Sequence, residues 1–214
     1  AKLVAGLAVG AAAVFALVFF GIPAASVPMA RMTPIDIERQ LGDSVEAQFD
    51  LAINPCQPAT PEATNALKRL ADRIAGVADV GFPVTVEVAD VDMVNAFALP
   101  GGNVWLTAGL IEDAKDPNEL AAVIAHEIAH VEHRDVLAAL YRAAGFGLVL
   151  DAVVGGGSGA GQQMIMLGAS LTDMRFSRDV EARADRRGVE LLNAAGLDSR
   201  GMARFFERLG KLST

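Results

Sequence analysis

The stretch Ala125-His126-Glu127-Ile128-Ala129-His130 decides what fold and chemistry can be predicted for this chain. Residues four apart lie on one face of a helix, so both imidazoles can point at one metal ion about 2 Å away. Glu127 follows the first histidine, where its carboxylate can reach a metal-bound water without binding the metal. The HExxH spacing therefore predicts a helix that supplies two zinc ligands and a general base.

The helix that carries this motif has a marked start and an apolar side. Asp116 is typical of an N-cap, Pro117 fits the first helical position, and Glu119 completes a capping box. The predicted buried side consists of apolar residues at helical spacing: Leu120, Val123, Ile124, Ile128 and Val131. The motif is therefore expected on a well-packed helix.

Periodic segments elsewhere predict further strands and helices. Val84 to Val88 alternates with polar residues, which predicts a half-buried strand. A second strand, Val104 to Thr107, follows the turn Pro100-Gly101-Gly102. Helices are predicted from Thr60 as N-cap to Val77, from Gln162 to Asn193, and from Met202 to Leu209.

Val136 to Val154 is another apolar segment, which Arg142 and Asp151 interrupt. Because a central charge is costly in lipid, the segment favours a buried or membrane-facing hairpin over a second membrane span. Gly155 to Gly161 lacks the lysine and the spacing of a phosphate loop. We predict a flexible loop there, which could cover the cleft.

The composition narrows the possible ligands and partners. The chain has 214 residues and a net charge of −8, with Lys and Arg interspersed among Asp and Glu. Nucleic acid is not an expected partner, because a phosphate-binding surface needs clustered Lys and Arg. Cys56 is the only cysteine, which excludes an intramolecular disulfide and a cysteine-based zinc site. All three histidines lie between positions 126 and 133, so a metal would have to be bound by imidazoles and carboxylates.

The N-terminus is predicted to interact with a membrane. Leu3 to Phe20 is an apolar run without a charge, long enough to cross a hydrocarbon core. It favours an anchor over a cleaved signal peptide, whose apolar region is usually ~7–15 residues long, although Ala24-Ala25-Ser26 would suit cleavage. Lys2 and the acidic residues after the run favour the N-terminus inside and the remainder outside. We expect an anchor or signal segment at residues 1–30, a linker at 31–60 and the catalytic domain at 61–214.

Glu181 and Asp185 are candidates for completing the metal centre. The metzincin pattern needs a histidine six positions after His130, and Val136 stands there. The remaining route is a carboxylate from a second helix, on which Glu181 could bind the metal while Asp185 accepts the spare N–H of a ligand histidine. Spacing alone does not exclude the alternative that Glu181 and Asp185 lie on an ordinary solvated helix with Arg–Asp ion pairs.

Three stretches in this order resemble the membrane-associated zinc peptidases of the HtpX and CAAX-prenyl-protease family. They are Asn95 to Leu110, His126 to Val131, and the pattern Ser-Arg-x-x-Glu-x-x-Ala-Asp at residues 177–185. The resemblance covers roughly residues 84 to 192. It implies an α+β fold: a mainly helical, zincin-like metallopeptidase domain with a small β-sheet beside the active-site helix and an N-terminal hydrophobic helix. It also implies Glu181 as the third ligand of one Zn²⁺ per chain.

The resemblance further implies how a polypeptide is bound and cleaved. An edge strand beside the zinc helix pairs with the substrate backbone in such enzymes, and either Asn95-Ala96-Phe97-Ala98 or Val104 to Leu106 could supply that edge. The implied reaction is hydrolysis by a zinc-activated water, from which Glu127 takes a proton for the leaving amine. Candidates for stabilising the oxyanion are His133, Arg178 and Tyr141, although His133 also suits a supporting or solvated role.

The single predicted span sets this chain apart from the HtpX and prenyl-protease members, which have several. It therefore resembles more closely the singly anchored or secreted periplasmic members, or the related inner-membrane protease of mitochondria. We expect a zinc endopeptidase for misfolded or membrane-associated polypeptides, in membrane or envelope protein quality control. The catalytic domain would lie on the periplasmic side, anchored to the membrane or released by signal cleavage. The alternative is an inactive zinc-binding module that holds or recruits polypeptides at a membrane, against which the intact Glu127 argues.

Overall fold

The chain adopts a mainly helical fold with one small sheet, in a computed structural model that describes residues 2–52, 61–154 and 176–212. Its N-terminal part forms α1 (Lys2–Ala16), a π-helical turn (Leu17–Gly21) and α2 (Ile22–Met32) in direct succession. Within the described residues, Ala8–Met32 is the one stretch long and apolar enough to cross a membrane. A signal sequence near the N-terminus would have the same properties.

Residues Ile35–Ala52 form helix α3, so the linker predicted over residues 31–60 is wrong for this part of the chain. Phe49 is only 2% exposed and packs against aromatic side chains of the sheet. The helix is hard to recognise in the sequence because Glu38 and Gly42 occupy its buried face, where an apolar pattern would be expected.

The sheet has three strands: β1 (Thr85–Ala89), β2 (Ala96–Ala98) and β3 (Asn103–Thr107). Their order is β1-β3-β2, with β3 parallel to β1 and antiparallel to β2. The two strands predicted from the residue pattern are confirmed to within a residue. Strand β2 lies within Asn95 to Ala98, one of the two stretches that the family resemblance offered as an edge strand. Helix α4 (Pro61–Ala75) precedes the sheet, as predicted, and packs against β1.

Helix α6 (Pro117–Glu132) runs through the centre of the fold, and nearly all of its side chains are buried. Asp116 is the predicted N-cap, and its carboxylate accepts a hydrogen bond from the Glu119 N–H. The Glu119 carboxylate accepts from the Lys115 N–H rather than closing a capping box on Asp116. The start of the helix is therefore confirmed, with a different pairing of its side chains.

Four further helices complete the described fold: α5 (Ala108–Asp113), α7 (Asp135–Val154), α8 (Arg178–Ala194) and α9 (Arg200–Leu212). Helix α7 packs against α2, and α8 and α9 pack against α6. The hairpin predicted within residues 136–154 is wrong, because this proline-free segment continues as one helix. The predicted C-terminal end of α8 and the presence of α9 are confirmed. A helix that continues unbroken from Gln162 to Asn193 is wrong, because Ser177 is extended and caps a helix that begins at Arg178. Gly155 to Gly161 and the start predicted at Gln162 lie outside the described residues.

Arg134 joins the N-terminal helices to the connection between α6 and α7. Its φ of 56° is a left-handed conformation that reverses the chain after α6. Its guanidinium donates to the carbonyl oxygens of Ala30 at 2.9 Å and Thr33 at 2.7 Å. Its Nε lies 3.0 Å from the buried Glu38 carboxylate. Helices α2 and α3 are thereby tied to the end of the helix that carries the histidine pair.

Candidate metal centre and active site

Helix α6 presents His126 and His130 on one face, as the four-residue spacing predicts. Both rings are buried, with 7% and 2% of their surface exposed. Their Nε2 atoms are 3.1 Å apart. Two ligands each ~2.0–2.1 Å from one tetrahedral zinc would be separated by about 3.3 Å. The pair is therefore arranged as two ligands of one ion would be.

Glu181 reaches the same point from α8. Its Oε2 lies 3.4 Å from His126 Nε2 and 3.9 Å from His130 Nε2. The three donor atoms lie within 4.8 Å of one another. Gly188 lets α8 approach α6 closely, because a Cβ there would lie 3.3 Å from the backbone nitrogen of His126. Packing thus brings a carboxylate from a distant part of the chain to the histidine pair.

The other nitrogen of each imidazole lies beside a carboxylate. His126 Nδ1 is 3.0 Å from Asp185 Oδ1, and His130 Nδ1 is 3.0 Å from Asp135 Oδ2. Such partners favour a proton on Nδ1, which directs the lone pair of Nε2 towards the metal. Asp185 has the place predicted for it. Asp135 is missing from the prediction, because it follows the end of α6 and helical spacing does not relate it to His130.

Charges around the centre favour a cation. Burial alone lowers the pKa of His126, but the carboxylates of Asp185, Glu181 and Glu127 outweigh it and raise this pKa to about 10. The hydrogen bond from His126 lowers the pKa of Glu181 against the opposing effect of burial, and the charge of His130 adds to the lowering. Two imidazoles, one carboxylate and this negative surrounding fit a divalent ion such as zinc.

A cavity of about 180 Å³ opens onto the metal centre. Glu127 is 9% exposed and lines it together with the three donor residues. The remaining lining residues are Asn95, Ala96, Phe97, Ala98, Val136 and Phe176. The structure thus brings every predicted metal, base and substrate residue except Asp185 to one cavity, and Asp185 lies behind it against His126.

Among the strands that the structure describes, β2 lies at an edge of the sheet, whereas β3 is paired on both sides. The alternative in which Val104 to Leu106 supply the substrate edge is therefore wrong. Asn95 and Leu99 bond to β3 through their backbone O and N–H groups, respectively. In an antiparallel ladder the bonded residues alternate, so the backbone polar groups of Ala96 and Ala98 point away from β3. The side of β2 that pairs with no described strand faces away from the sheet, and β2 itself lines the cavity.

The three residues considered for oxyanion stabilisation do not line this cavity. The Tyr141 hydroxyl is hydrogen-bonded to Thr33 Oγ1 at 2.8 Å. His133 lines a different cavity, of about 300 Å³, next to α2, and burial lowers the pKa of this histidine. Arg178 is exposed at the start of α8. None of the three is placed to contact a substrate at Glu127.

A mainly helical α+β fold with an HExxH helix and a glutamate donor from a second helix is typical of zinc-dependent hydrolases. Residues 61–214 match peptidase family M48, and the chain belongs to this family. The narrower grouping with HtpX and the prenyl proteases stays a prediction.

Several family relatives are similar to this chain over part of their length. Metalloprotease LoiP of Escherichia coli K12 is 34% identical over 159 residues, which cover 72% of this chain and 62% of LoiP. A putative beta-barrel assembly-enhancing protease of Vibrio cholerae is 36% identical over 146 residues, 64% of this chain and 30% of the relative. The mitochondrial metalloendopeptidase OMA1 of Arabidopsis thaliana is 33% identical over 138 residues, 62% and 27% of the two chains. This chain therefore spans between 27% and 62% of the length of these relatives.

Proposed function

We propose that this chain is a zinc-dependent endopeptidase in which His126, His130 and Glu181 bind the metal and Glu127 is the general base. The observation that carries the proposal is that the donor set, Glu127 and an edge strand all line one cavity. Bound zinc would supply a Lewis acid for the scissile carbonyl and lower the pKa of water. Proton transfer and substrate binding would be carried out by the protein's own residues.

Glu127 would move the proton in this reaction. Its side chain lines the same cavity as the three proposed metal ligands and is not one of them, which supports a role as acceptor of a proton from water. The same carboxylate would then give that proton to the leaving amine. The first transfer needs the Glu127 carboxylate within hydrogen-bond reach of the water, and the second needs the protonated carboxyl within reach of the leaving nitrogen. A cavity that Glu127 shares with the proposed metal ligands supports both.

The edge of β2 would hold the substrate in an extended conformation. An added strand would bond to the backbone groups of Ala96 and Ala98, and backbone pairing selects extended polypeptide rather than particular side chains. Unfolded or misfolded polypeptides have such segments exposed. This supports a role in protein quality control, in line with a relative named for beta-barrel assembly.

The stretch Ala8–Met32 supports attachment to a membrane. We propose that the catalytic domain lies on the periplasmic side, as the positive Lys2 before the apolar run and the acidic residues after it favour. Secretion after signal cleavage is the alternative location. Intact mass and membrane fractionation of the expressed chain distinguish the two, because only the anchored form keeps its N-terminus and sediments with membranes.

The function is tested by comparing wild type with Glu127→Gln and Glu181→Ala on an unfolded protein such as casein, with zinc content measured by elemental analysis. Glu127→Gln should keep stoichiometric zinc and lose cleavage by at least about 100-fold, the scale of general-base catalysis. Glu181→Ala should lose both zinc and cleavage. A wild type that binds zinc and cleaves nothing would instead support the inactive binding module.

The substrate edge is tested separately with Ala96→Pro and its matched control Ala96→Gly. Proline removes an N–H that points away from β3, and edge strands tolerate it because no ladder bond is lost. We expect kcat/KM to fall about tenfold or more with zinc content unchanged, whereas glycine keeps the donor and most of the activity. Equal activity of the two variants would exclude backbone pairing at this position.

A further inference from the structure

We infer that Asp135, held by Arg183, is a positioning residue that orients His130 and couples the two helices that carry the metal donors. This inference rests on the proposed metal centre. It concerns a carboxylate that lies beyond the HExxH helix, at the first position of α7.

The two oxygens of Asp135 have separate partners on separate helices. Oδ2 lies 3.0 Å from His130 Nδ1, on α6. Oδ1 accepts a hydrogen bond from the Arg183 guanidinium at 2.6 Å, on α8. His133 is 3.8 Å from Oδ2, too far for a hydrogen bond. Asp135 therefore bridges the helix of the histidines to the helix of Glu181.

Because the bridge is buried, it favours one orientation of the His130 imidazole. The Asp135 side chain is 7% exposed and that of His130 is 3% exposed, so little water is available to replace either partner. With its carboxylate held by Arg183, Asp135 can only accept from His130 Nδ1, which leaves Nε2 as the atom that binds the metal. Rotation of the imidazole would break a buried hydrogen bond to an ionised group, which is costly.

A second ion pair between the same helices provides a matched control. Arg187 on α8 donates from Nε and a terminal nitrogen to both oxygens of Glu132 on α6, at 2.9 and 3.1 Å. No hydrogen bond or ion pair joins this pair to any of the three metal donors. Removing it should loosen the α6–α8 packing without changing the orientation of His130.

The experiment measures the zinc dissociation constant by chelator competition for wild type, Asp135→Asn, Asp135→Glu, Arg183→Met and Arg187→Met. Loss of a hydrogen-bond partner of a ligand histidine typically weakens metal binding 10- to 100-fold. We expect a loss of that size in Asp135→Asn, partial recovery in Asp135→Glu and a smaller loss in Arg183→Met. Arg187→Met should lower the unfolding temperature but keep zinc affinity within about threefold of wild type.

The double variant Asp135→Asn/Arg183→Met decides whether the two residues act as a unit. It should bind zinc about as weakly as Asp135→Asn alone, since Arg183 acts through Asp135. Far-ultraviolet circular dichroism of the metal-free proteins establishes which variants fold. If Asp135→Asn does not fold, the comparison of Arg183→Met with Arg187→Met decides the question.

Equal zinc affinity in wild type and Asp135→Asn would overturn the inference, as would equal losses in Arg183→Met and Arg187→Met. These results are independent of catalysis. A wild type that binds zinc without cleaving polypeptide would refute the proposed peptidase and leave the role of Asp135 intact. A wild type that binds no zinc would remove the metal centre and this inference together.

Discussion

Zinc binding at neutral pH should release a proton from His126. In the metal-free protein the nearby carboxylates raise the pKa of His126 to about 10, against the effect of burial. At pH 7 only about one molecule in a thousand would then have this ring neutral, and zinc binds only the neutral ring. Apparent zinc affinity should therefore rise about tenfold for each pH unit between about pH 7 and 9.

Calorimetric titration with zinc in buffers of different ionisation enthalpy measures the number of protons released. We expect at least about one proton per zinc at pH 7 in wild type. Asp185→Asn removes the carboxylate that contributes most to raising this pKa, so its proton release should be smaller. Release of less than half a proton by wild type, or no decrease in Asp185→Asn, would refute the reasoning.

The same proton should make the metal-free fold less stable at high pH. The pKa of His126 is about 10 in the folded protein, against about 6.5 for an unperturbed histidine side chain. Its stabilising contribution is thus fully present below about pH 6.5 and disappears as pH rises through about 10. By ~1.36 kcal/mol per pKa unit, it amounts to at most about 5 kcal/mol. The melting temperature of metal-free protein should fall between pH 7 and 10, and a flat profile would contradict this linkage.

Three further substitutions should lower the free energy of unfolding, measured with urea. Two of them change packing, and the third removes an ion pair whose contribution depends on pH. Leu191→Ala should lower the free energy of unfolding by about 2–5 kcal/mol, because this fully buried side chain leaves a cavity between α8 and α6. Gly42→Ala should cost about 1–3 kcal/mol or more, because its new Cβ would overlap the carbonyl oxygen of Pro100. Arg208→Met should cost about 1–3 kcal/mol at pH 7 by leaving the buried Glu119 carboxylate without its 2.7 Å partner. That hydrogen bond lowers the pKa of Glu119, so its contribution is present above about pH 4.5 and is lost as pH falls through the lowered pKa. A wild-type advantage that does not decrease as pH falls below about 4.5 would contradict this assignment.

Elements with a simple local pattern were predictable from the sequence. The start of α6 follows from the order Asp-Pro-Asn-Glu, and the observed cap is Asp116. The strand at residues 85–89 follows from alternating valines. Helix α3 is not predictable from local pattern, because its buried face includes a polar residue, Glu38, whose position depends on Arg134 far along the chain.

Some residues of the candidate site are likewise recognisable from local sequence patterns, and others only from the tertiary structure. Both histidines and Glu127 are recognisable because their spacing alone places them on a helix. Glu181 could be proposed from spacing as a carboxylate on another helix, and the resemblance to known peptidases strengthened its assignment. Asp135 could not be found, since its contact with His130 depends on the reversal of the chain at Arg134.

The amino-acid sequence by itself determined that two imidazoles and a carboxylate lie within one turn of a single helix, because helical periodicity is a local property of the backbone. The tertiary structure decided which distant groups meet them. The approach of Glu181 depends on how α8 packs against α6 at Gly188. The position of β2 at an edge of the described sheet depends on β3 taking the central position. Contacts between residues far apart in the chain arise from packing, which local patterns do not encode.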